Sequence, residues 1–82
     1  MIYYCDFTKN AQKDMEKHGV NNDDVQEIFN HGLTESPRSK TLEKDGYKLG
    51  VFYYYDGYTL RHVVVSIFKR PLKMKRGNKG ER

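Results

Sequence analysis

Three side chains of this sequence could combine proton transfer with the stabilisation of negative charge. His62 is the only histidine in a predicted strand, and an imidazole can titrate near neutral pH, so it is a candidate general acid or base. Lys40 and Lys44 precede it on another strand of the same predicted sheet and supply cations for an anionic transition state. We therefore name His62, Lys40 and Lys44 as candidate catalytic residues. The alternative for His62 is an ordinary structural place opposite Val51.

Aromatic and basic residues of the same predicted sheet are candidates for binding nucleic acid or a protein partner. These candidates are Tyr53, Tyr55, Tyr58, Arg61, Lys69 and Arg70. The tyrosines could stack on bases or donate hydrogen bonds to phosphate, and ordinary aromatic packing at the sheet edge is the alternative. Strand alternation places Arg61 on the opposite face from His62.

A long hairpin over residues 47–68 must position these side chains. Asp56-Gly57 separates two runs rich in β-branched and aromatic residues, and this dipeptide favours a two-residue type I′ turn. Asp45-Gly46 predicts a second turn, which makes residues 39–44 a third antiparallel strand. The result is a meander with residues 47–55 in its centre.

Two-residue turns also predict the register of the meander. The expected cross-strand pairs are Tyr55 with Tyr58, Tyr53 with Leu60, Val51 with His62, Leu49 with Val64, Tyr47 with Ser66, Leu42 with Leu49 and Glu43 with Lys48. One face then carries Gly50, Phe52, Tyr54, Val63, Val65 and Ile67. Its β-branched block predicts the core face, so the face with tyrosine, lysine and histidine is predicted to be the open working surface.

Two helices are predicted before the meander. Thr8 can N-cap residues 9–18, and Gly19 follows as a stop signal. Asn21 and Asp24 form a capping box for a second helix, whose buried stripe is Val25, Ile28, Phe29 and Leu33. Residues 1–5 are predicted to form a short edge strand, and residues 33–38 a connection.

The predicted fold class is a two-layer α+β domain over residues 1–70, followed by a basic flexible tail over residues 71–82. Its order is a short N-terminal strand, two helices and a three-stranded antiparallel meander. The chain has 82 residues, enough for one small domain. Its lone Cys5 cannot form an internal disulfide and is expected to act as a small buried hydrophobe. The absence of metal-ligand spacing, signal peptide and membrane span predicts a cytoplasmic protein without metal.

The net charge of +4 is concentrated at the C-terminus. Residues 69–82 contain seven Lys or Arg and one Glu, so residues 1–68 carry a net charge of −2. We therefore expect any nucleic-acid affinity to depend on the C-terminal stretch and on local patches.

Several short motifs lie in the predicted helices and in the last predicted strand. The segment Lys17-His18-Gly19-Val20 is followed by Asp23-Asp24 and Ile28-Phe29. This pattern resembles that of BrnT-type toxins, in which a first helix ends in K-H-G-V and an acidic-started second helix ends in V-F. The run VVVS at residues 63–66, followed by Lys69-Arg70, is similar to the last strand of that family. The likeness covers residues 6–70.

The sequence departs from the BrnT-type pattern at three positions. Asp14 stands where an asparagine is common, Asn10 or the displaced Lys9 takes the place of a lysine, and Phe68 replaces the arginine of an S-A-R motif. The loss of that arginine weakens the expectation of catalysis and leaves the fold expectation intact.

The resemblance implies a toxin of a bacterial or phage toxin–antitoxin pair in the RelE/ParE-like group. It further implies a cognate antitoxin as partner and RNA as the substrate of a metal-independent endoribonuclease without cofactor. In that reaction His62 would transfer a proton and the lysines would stabilise the phosphate. The main alternative is a non-enzymatic protein of the same fold, such as a phage- or plasmid-encoded inhibitor that binds a protein or nucleic acid. A gyrase-poisoning toxin of the ParE branch is a third possibility.

Overall fold

The computed structural model describes residues 1–72, which form a five-stranded mixed sheet with two helices on one face. The elements are β1 (Cys5–Phe7), α1 (Lys9–His18), α2 (Asn22–His31), β2 (Leu33–Ser36), β3 (Ser39–Lys44), β4 (Tyr47–Asp56) and β5 (Arg61–Pro71). The strand order is β1-β5-β4-β3-β2. Strand β1 is parallel to β5, and the other neighbours are antiparallel. The predicted α+β class is confirmed.

Both helices begin and end where their capping residues predict. The Thr8 side chain accepts a hydrogen bond from the Ala11 amide, and Gly19 ends α1 in the left-handed region at φ 66°. The Asn21 side-chain oxygen Oδ1 accepts a hydrogen bond from the Asp24 backbone N–H at 2.9 Å, and the Asp24 carboxylate accepts one from the Asn21 backbone N–H at 3.0 Å. These contacts satisfy amides that the first turn of a helix leaves free.

An edge strand, β2, lies where the sequence predicts only a connection. Pro37 and Arg38 turn the chain, and the Ser36 and Ser39 hydroxyls meet across this turn at 2.9 Å. The turn allows β2 to pair with β3. As a result Leu33 lies on an edge strand with 71 % of its surface exposed, and its predicted place in the core is wrong.

The register between β3 and β4 is as predicted, with Leu42 opposite Leu49 and Glu43 opposite Lys48. The register between β4 and β5 is different. The Asp56 carboxylate accepts a hydrogen bond from the Tyr58 amide at 2.9 Å, and Leu60 has a φ of 58°. The connection is therefore the four-residue loop 57–60 rather than a two-residue turn, and Tyr55 faces His62.

A β-bulge changes the register again farther along the same pair of strands. Phe52 lies opposite Ser66, whereas Tyr53 lies opposite Val64, so Val65 has no partner on β4. An extra residue reverses side-chain alternation beyond it. The bulge therefore places Ile67 beside Val51 rather than on the opposite face.

The predicted choice of core face is consequently wrong. The sheet residues buried beneath the helices are Leu49, Val51, Val64 and Ile67, which pack with Val25, Ile28 and Phe29 of α2 and with Ala11 of α1. The opposite face carries Phe52 and Tyr54, which are 45 % and 46 % exposed. The bulge creates a continuous aliphatic block on the first face, and the apolar stripes of the two helices cover it.

Two residues of the predicted tail continue along the sheet, because Pro71 is the last residue of β5 and Leu72 follows it. Pro71 pairs with Tyr47, and the Leu72 amide donates to the Gly46 carbonyl at 2.9 Å. The rest of the predicted tail, residues 73–82, lies outside the described residues. None of the described helices has the length and apolar character needed to span a membrane.

Candidate functional site

His62 is enclosed by aromatic rings on the helix-covered face. Its ring centroid lies 5.0 Å from that of Phe29, 5.1 Å from Tyr55, 5.4 Å from Tyr3 and 5.8 Å from Tyr53. Burial lowers the pKa of His62, and the nearby positive charge of Lys40 lowers it further. These effects favour a neutral imidazole, which can accept a proton but is partly shielded by its neighbours.

Lys44 is separated from His62 and occupied by other partners. Its ammonium group pairs with the Glu27 carboxylate and lies 3.7 Å from Asp24, both on α2. The hydrogen bond to Glu27 is the main cause of its raised pKa. Lys44 lies opposite Tyr47 of β4, and His62 lies opposite Tyr55 of the same strand. Tyr47 and Tyr55 are eight residues apart, which corresponds to about 27 Å along the strand. The structure therefore brings Lys40, but not Lys44, towards His62.

The three candidate tyrosines do not share one surface. Tyr53 is half-buried in the helix layer, with its ring centroid 4.9 Å from that of Phe29, and burial raises its pKa. Tyr55 projects from the end of the same face with 54 % of its surface exposed, and Tyr58 is fully exposed in the loop. Only Tyr55 and Tyr58 are accessible enough to stack on a base.

The candidate cations also divide between the two faces. Arg61 lies opposite Asp56 and projects from the face opposite to His62, as predicted. That face was predicted to be the core, but it is the face without helices, which we call the open face. The Arg61 Nε atom is 2.8 Å from the Asp6 carboxylate. The Lys69 ammonium lies 4.5 Å from the centroid of the Tyr47 ring. Arg70 lies on the open face, with its guanidinium 4.8 Å from the centroid of the Phe68 ring.

A row of charged residues crosses the open face at the end where Arg70 lies. Lys48 pairs with Glu43 of β3 on one side and with Arg70 of β5 on the other. Directly opposed residues on adjacent strands project from the same face, so the three side chains span about 10 Å across the sheet. Among residues 1–72, none of the ion pairs involves Glu43, Lys48 or Arg70. We call these three residues the charged row.

The charged row is absent from the predicted site residues, although the expected pairing of Glu43 with Lys48 is a signal for part of it. Strand alternation places this pair on the face that was predicted to be the core. Arg70 joins the row because the bulge moves the C-terminal half of β5 by one residue. Its position could not be obtained from turn lengths alone.

Aromatic side chains continue the open face beside the charged row. The Phe68 ring lies over Gly50, where a β-carbon would collide with it. The Phe52 ring is 6.0 Å from that of Phe68, and Tyr54 follows two residues farther along β4. The open face therefore joins a carboxylate and two cations to two exposed aromatic rings, a combination suited to a phosphate ester with attached bases.

Comparisons with known proteins give one structural match. No protein-family model matches the chain, and no curated protein matches it. A chain from the crystal structure of the intact E. coli RelBE toxin-antitoxin complex is similar to it with 21% identity and a TM-score of 0.45. The match covers 79% of this chain and 97% of that chain. At this identity and TM-score, no functional conclusion follows from the match.

Proposed function

We propose that this protein is the toxin of a toxin–antitoxin pair and a metal-independent endoribonuclease. The motif resemblance to BrnT-type toxins supports this class. The observation that carries the proposal is the charged row, in which Lys48 lies between Glu43 on one neighbouring strand and Arg70 on the other, on the sheet face without helices. A cognate antitoxin protein and RNA are the proposed partners.

The charged row contains the groups needed for RNA cleavage without a metal. The Glu43 carboxylate accepts the proton of a ribose 2′-hydroxyl, whose oxygen then forms a bond to the adjacent phosphorus. Lys48 and Arg70 stabilise the negative charge that builds on the phosphate oxygens. As the bond from phosphorus to the 5′-oxygen breaks, the Lys48 ammonium donates a proton to that oxygen. The products are a 2′,3′-cyclic phosphate and a 5′-hydroxyl.

His62 and Lys40 form the rival site for the same reaction. The lowered pKa of His62 would leave it neutral and able to act as a base. However, the surrounding rings restrict access to its imidazole, and Lys44 is bound to α2 rather than available to a phosphate. These contacts make the charged row the preferred site.

Cleavage of a mixed RNA by the purified protein, with antitoxin absent, tests the proposal and separates the two sites. Glu43→Gln should lower the rate by about 10²–10⁴-fold, the usual loss for a general base. Lys48→Gln and Arg70→Gln should each lower it by about 10²–10³-fold through lost charge stabilisation. His62→Gln should leave the rate within a few-fold of the unaltered protein.

Lys44→Gln is the matched control because Lys44 is adjacent to Glu43 in sequence but bonded to Glu27. It should retain cleavage. Loss of activity in His62→Gln together with normal activity in Glu43→Gln would move the reaction to the helix-covered face. No cleavage by the unaltered protein would favour the non-enzymatic alternative, in which Phe52 and Tyr54 contact a protein partner.

A further inference from the structure

We propose that Phe52 and Tyr54 hold two neighbouring unpaired bases of a single-stranded RNA, with the cleaved phosphate at the charged row. This inference rests on the proposed function and specifies its substrate as an extended single strand. The two residues, which we call the aromatic pair, alternate on β4 with Tyr53 and Tyr55 and therefore project from the open face.

Each residue of the aromatic pair has a neighbouring side chain on β5. The Phe68 ring lies over Gly50, and its centroid is 6.0 Å from that of the Phe52 ring. Val63 lies opposite Tyr54 on β5. Although 45 % and 46 % of these residues remain exposed, each thus has packing partners that restrict its motion. A restrained exposed ring loses little conformational entropy when a base stacks on it.

The spacing of the aromatic pair indicates an unstacked strand. Residues i and i+2 of a strand are about 7 Å apart, roughly twice the ~3.4 Å rise of stacked nucleotides. Bases that contact both rings must therefore be separated from each other. A base-paired duplex cannot meet this requirement, because its bases are stacked and its deep major groove is closed to side chains.

The charged row fixes where the phosphate lies relative to the two bases. Lys48 is four residues from Phe52 on the same strand, a distance of about 13 Å, and hence about two nucleotides at the ~7 Å spacing of the aromatic pair. The charged row contains two cations, Lys48 and Arg70, against the single carboxylate of Glu43. Its net positive charge complements an RNA backbone.

Fluorescence anisotropy with a labelled five-nucleotide RNA tests the inference. Every ribose of the probe carries a 2′-O-methyl group, so binding is measured without cleavage. Phe52→Ala and Tyr54→Ala should each raise Kd by about 5- to 150-fold, the range for losing one stacked base. Both should leave the salt dependence of binding unchanged, because stacking releases no counterions. Lys48→Ala should instead lower the slope of log K against log salt by about 0.7.

Tyr47→Ala is the matched control, because Tyr47 also lies on β4 with 40 % of its surface exposed but projects from the helix-covered face. Its Kd should equal that of the unaltered protein. Tyr54→Phe should preserve binding and Tyr54→Leu should lose it, since only the former keeps an aromatic ring. Far-UV circular dichroism identifies any variant that fails to fold. If an alanine variant does not fold, the comparison of Tyr54→Phe with Tyr54→Leu decides whether the aromatic ring is needed for binding.

The outcomes separate this inference from the proposed function. RNA cleavage that depends on Glu43, combined with unchanged Kd in Phe52→Ala and Tyr54→Ala, would overturn the aromatic pair while leaving the endoribonuclease intact. Tighter binding of a hairpin duplex than of the single strand would also overturn it. Failure of the unaltered protein both to bind and to cleave RNA would reject the proposed function and favour a protein partner at the open face.

Discussion

The backbone amide of Ile67 donates a hydrogen bond to the Asp14 carboxylate at 2.9 Å, so a helix side chain completes the edge of β5. Strand β1 pairs with β5 only as far as Val64. Beyond that point, the side chains of Thr8 and Asn10 donate to the Val65 carbonyl at 3.1 and 3.0 Å. Polar residues of α1 and its cap thus replace a neighbouring strand.

Asp14→Ala should lower the free energy of unfolding by about 1–3 kcal/mol, because it leaves the backbone N–H of the buried Ile67 without its acceptor. Asp14→Asn retains a carbonyl oxygen and should lose less than half as much. Urea titration of both variants checks the prediction, with the exposed Glu16→Ala as a control expected within about 0.5 kcal/mol of the unaltered protein. Equal losses in Asp14→Ala and Glu16→Ala would contradict it.

Gly50→Ala should destabilise the protein by about 1–3 kcal/mol, because the new β-carbon collides with the Phe68 ring on the open face. The same substitution should cost much less in a Phe68→Ala background, where the ring is absent. A double-mutant cycle measured by denaturant titration gives this coupling. Strict additivity of the two free-energy changes would show that the Phe68 ring is not the cause of the stability loss in Gly50→Ala.

Phe29→Ala should lower the free energy of unfolding by about 3–5 kcal/mol, since Phe29 is 3 % exposed and packs against Tyr3, Tyr53 and His62. Removing its ring should also shift the NMR signals of the His62 imidazole. Thermal and denaturant unfolding measure the first effect. A loss below about 1 kcal/mol would exclude Phe29 from the core.

The lowered pKa of His62 predicts a loss of stability in mild acid. Because the unfolded chain binds a proton at a higher pH than the folded protein does, stability is fully present above the ordinary histidine pKa of about 6.5 and falls as the pH decreases through the folded pKa. Denaturant titrations at pH 7.5 and pH 5 should show this decrease. His62→Gln removes the titrating group. An equally steep pH dependence of stability in that variant would show that another group causes the loss.

The sequence by itself determined the features that depend on neighbouring residues. Thr8, Asn21 and Asp24 bond to amides within three residues, so the helix starts follow from local chemistry. Asp45-Gly46 similarly determined the β3–β4 register, because both turn residues have positive φ angles of 54° and 81°. The α+β class followed from the order of these elements.

Tertiary structure decided which sheet face the helices cover. The Asp56 side chain accepts a hydrogen bond from the Tyr58 backbone N–H in a connection that is longer than the predicted two-residue turn. The bulge at Val65 places Ile67 beside Val51. A one-residue change in register transfers every later side chain to the other face, so a small local error reverses the surface assignment. The aliphatic block that results is the one that best fits the apolar stripes of the helices.

The candidate site depended on the same long-range effects. Lys44 has the residue type of a phosphate ligand, but its ammonium group forms an ion pair with Glu27, which lies seventeen positions earlier in the sequence. Arg70 joins Glu43 and Lys48 only after three strands align in one sheet. Residue types therefore determined which chemistry was available, and the packing of separate elements decided where it could occur, because charges and rings act through spatial contact rather than sequence spacing.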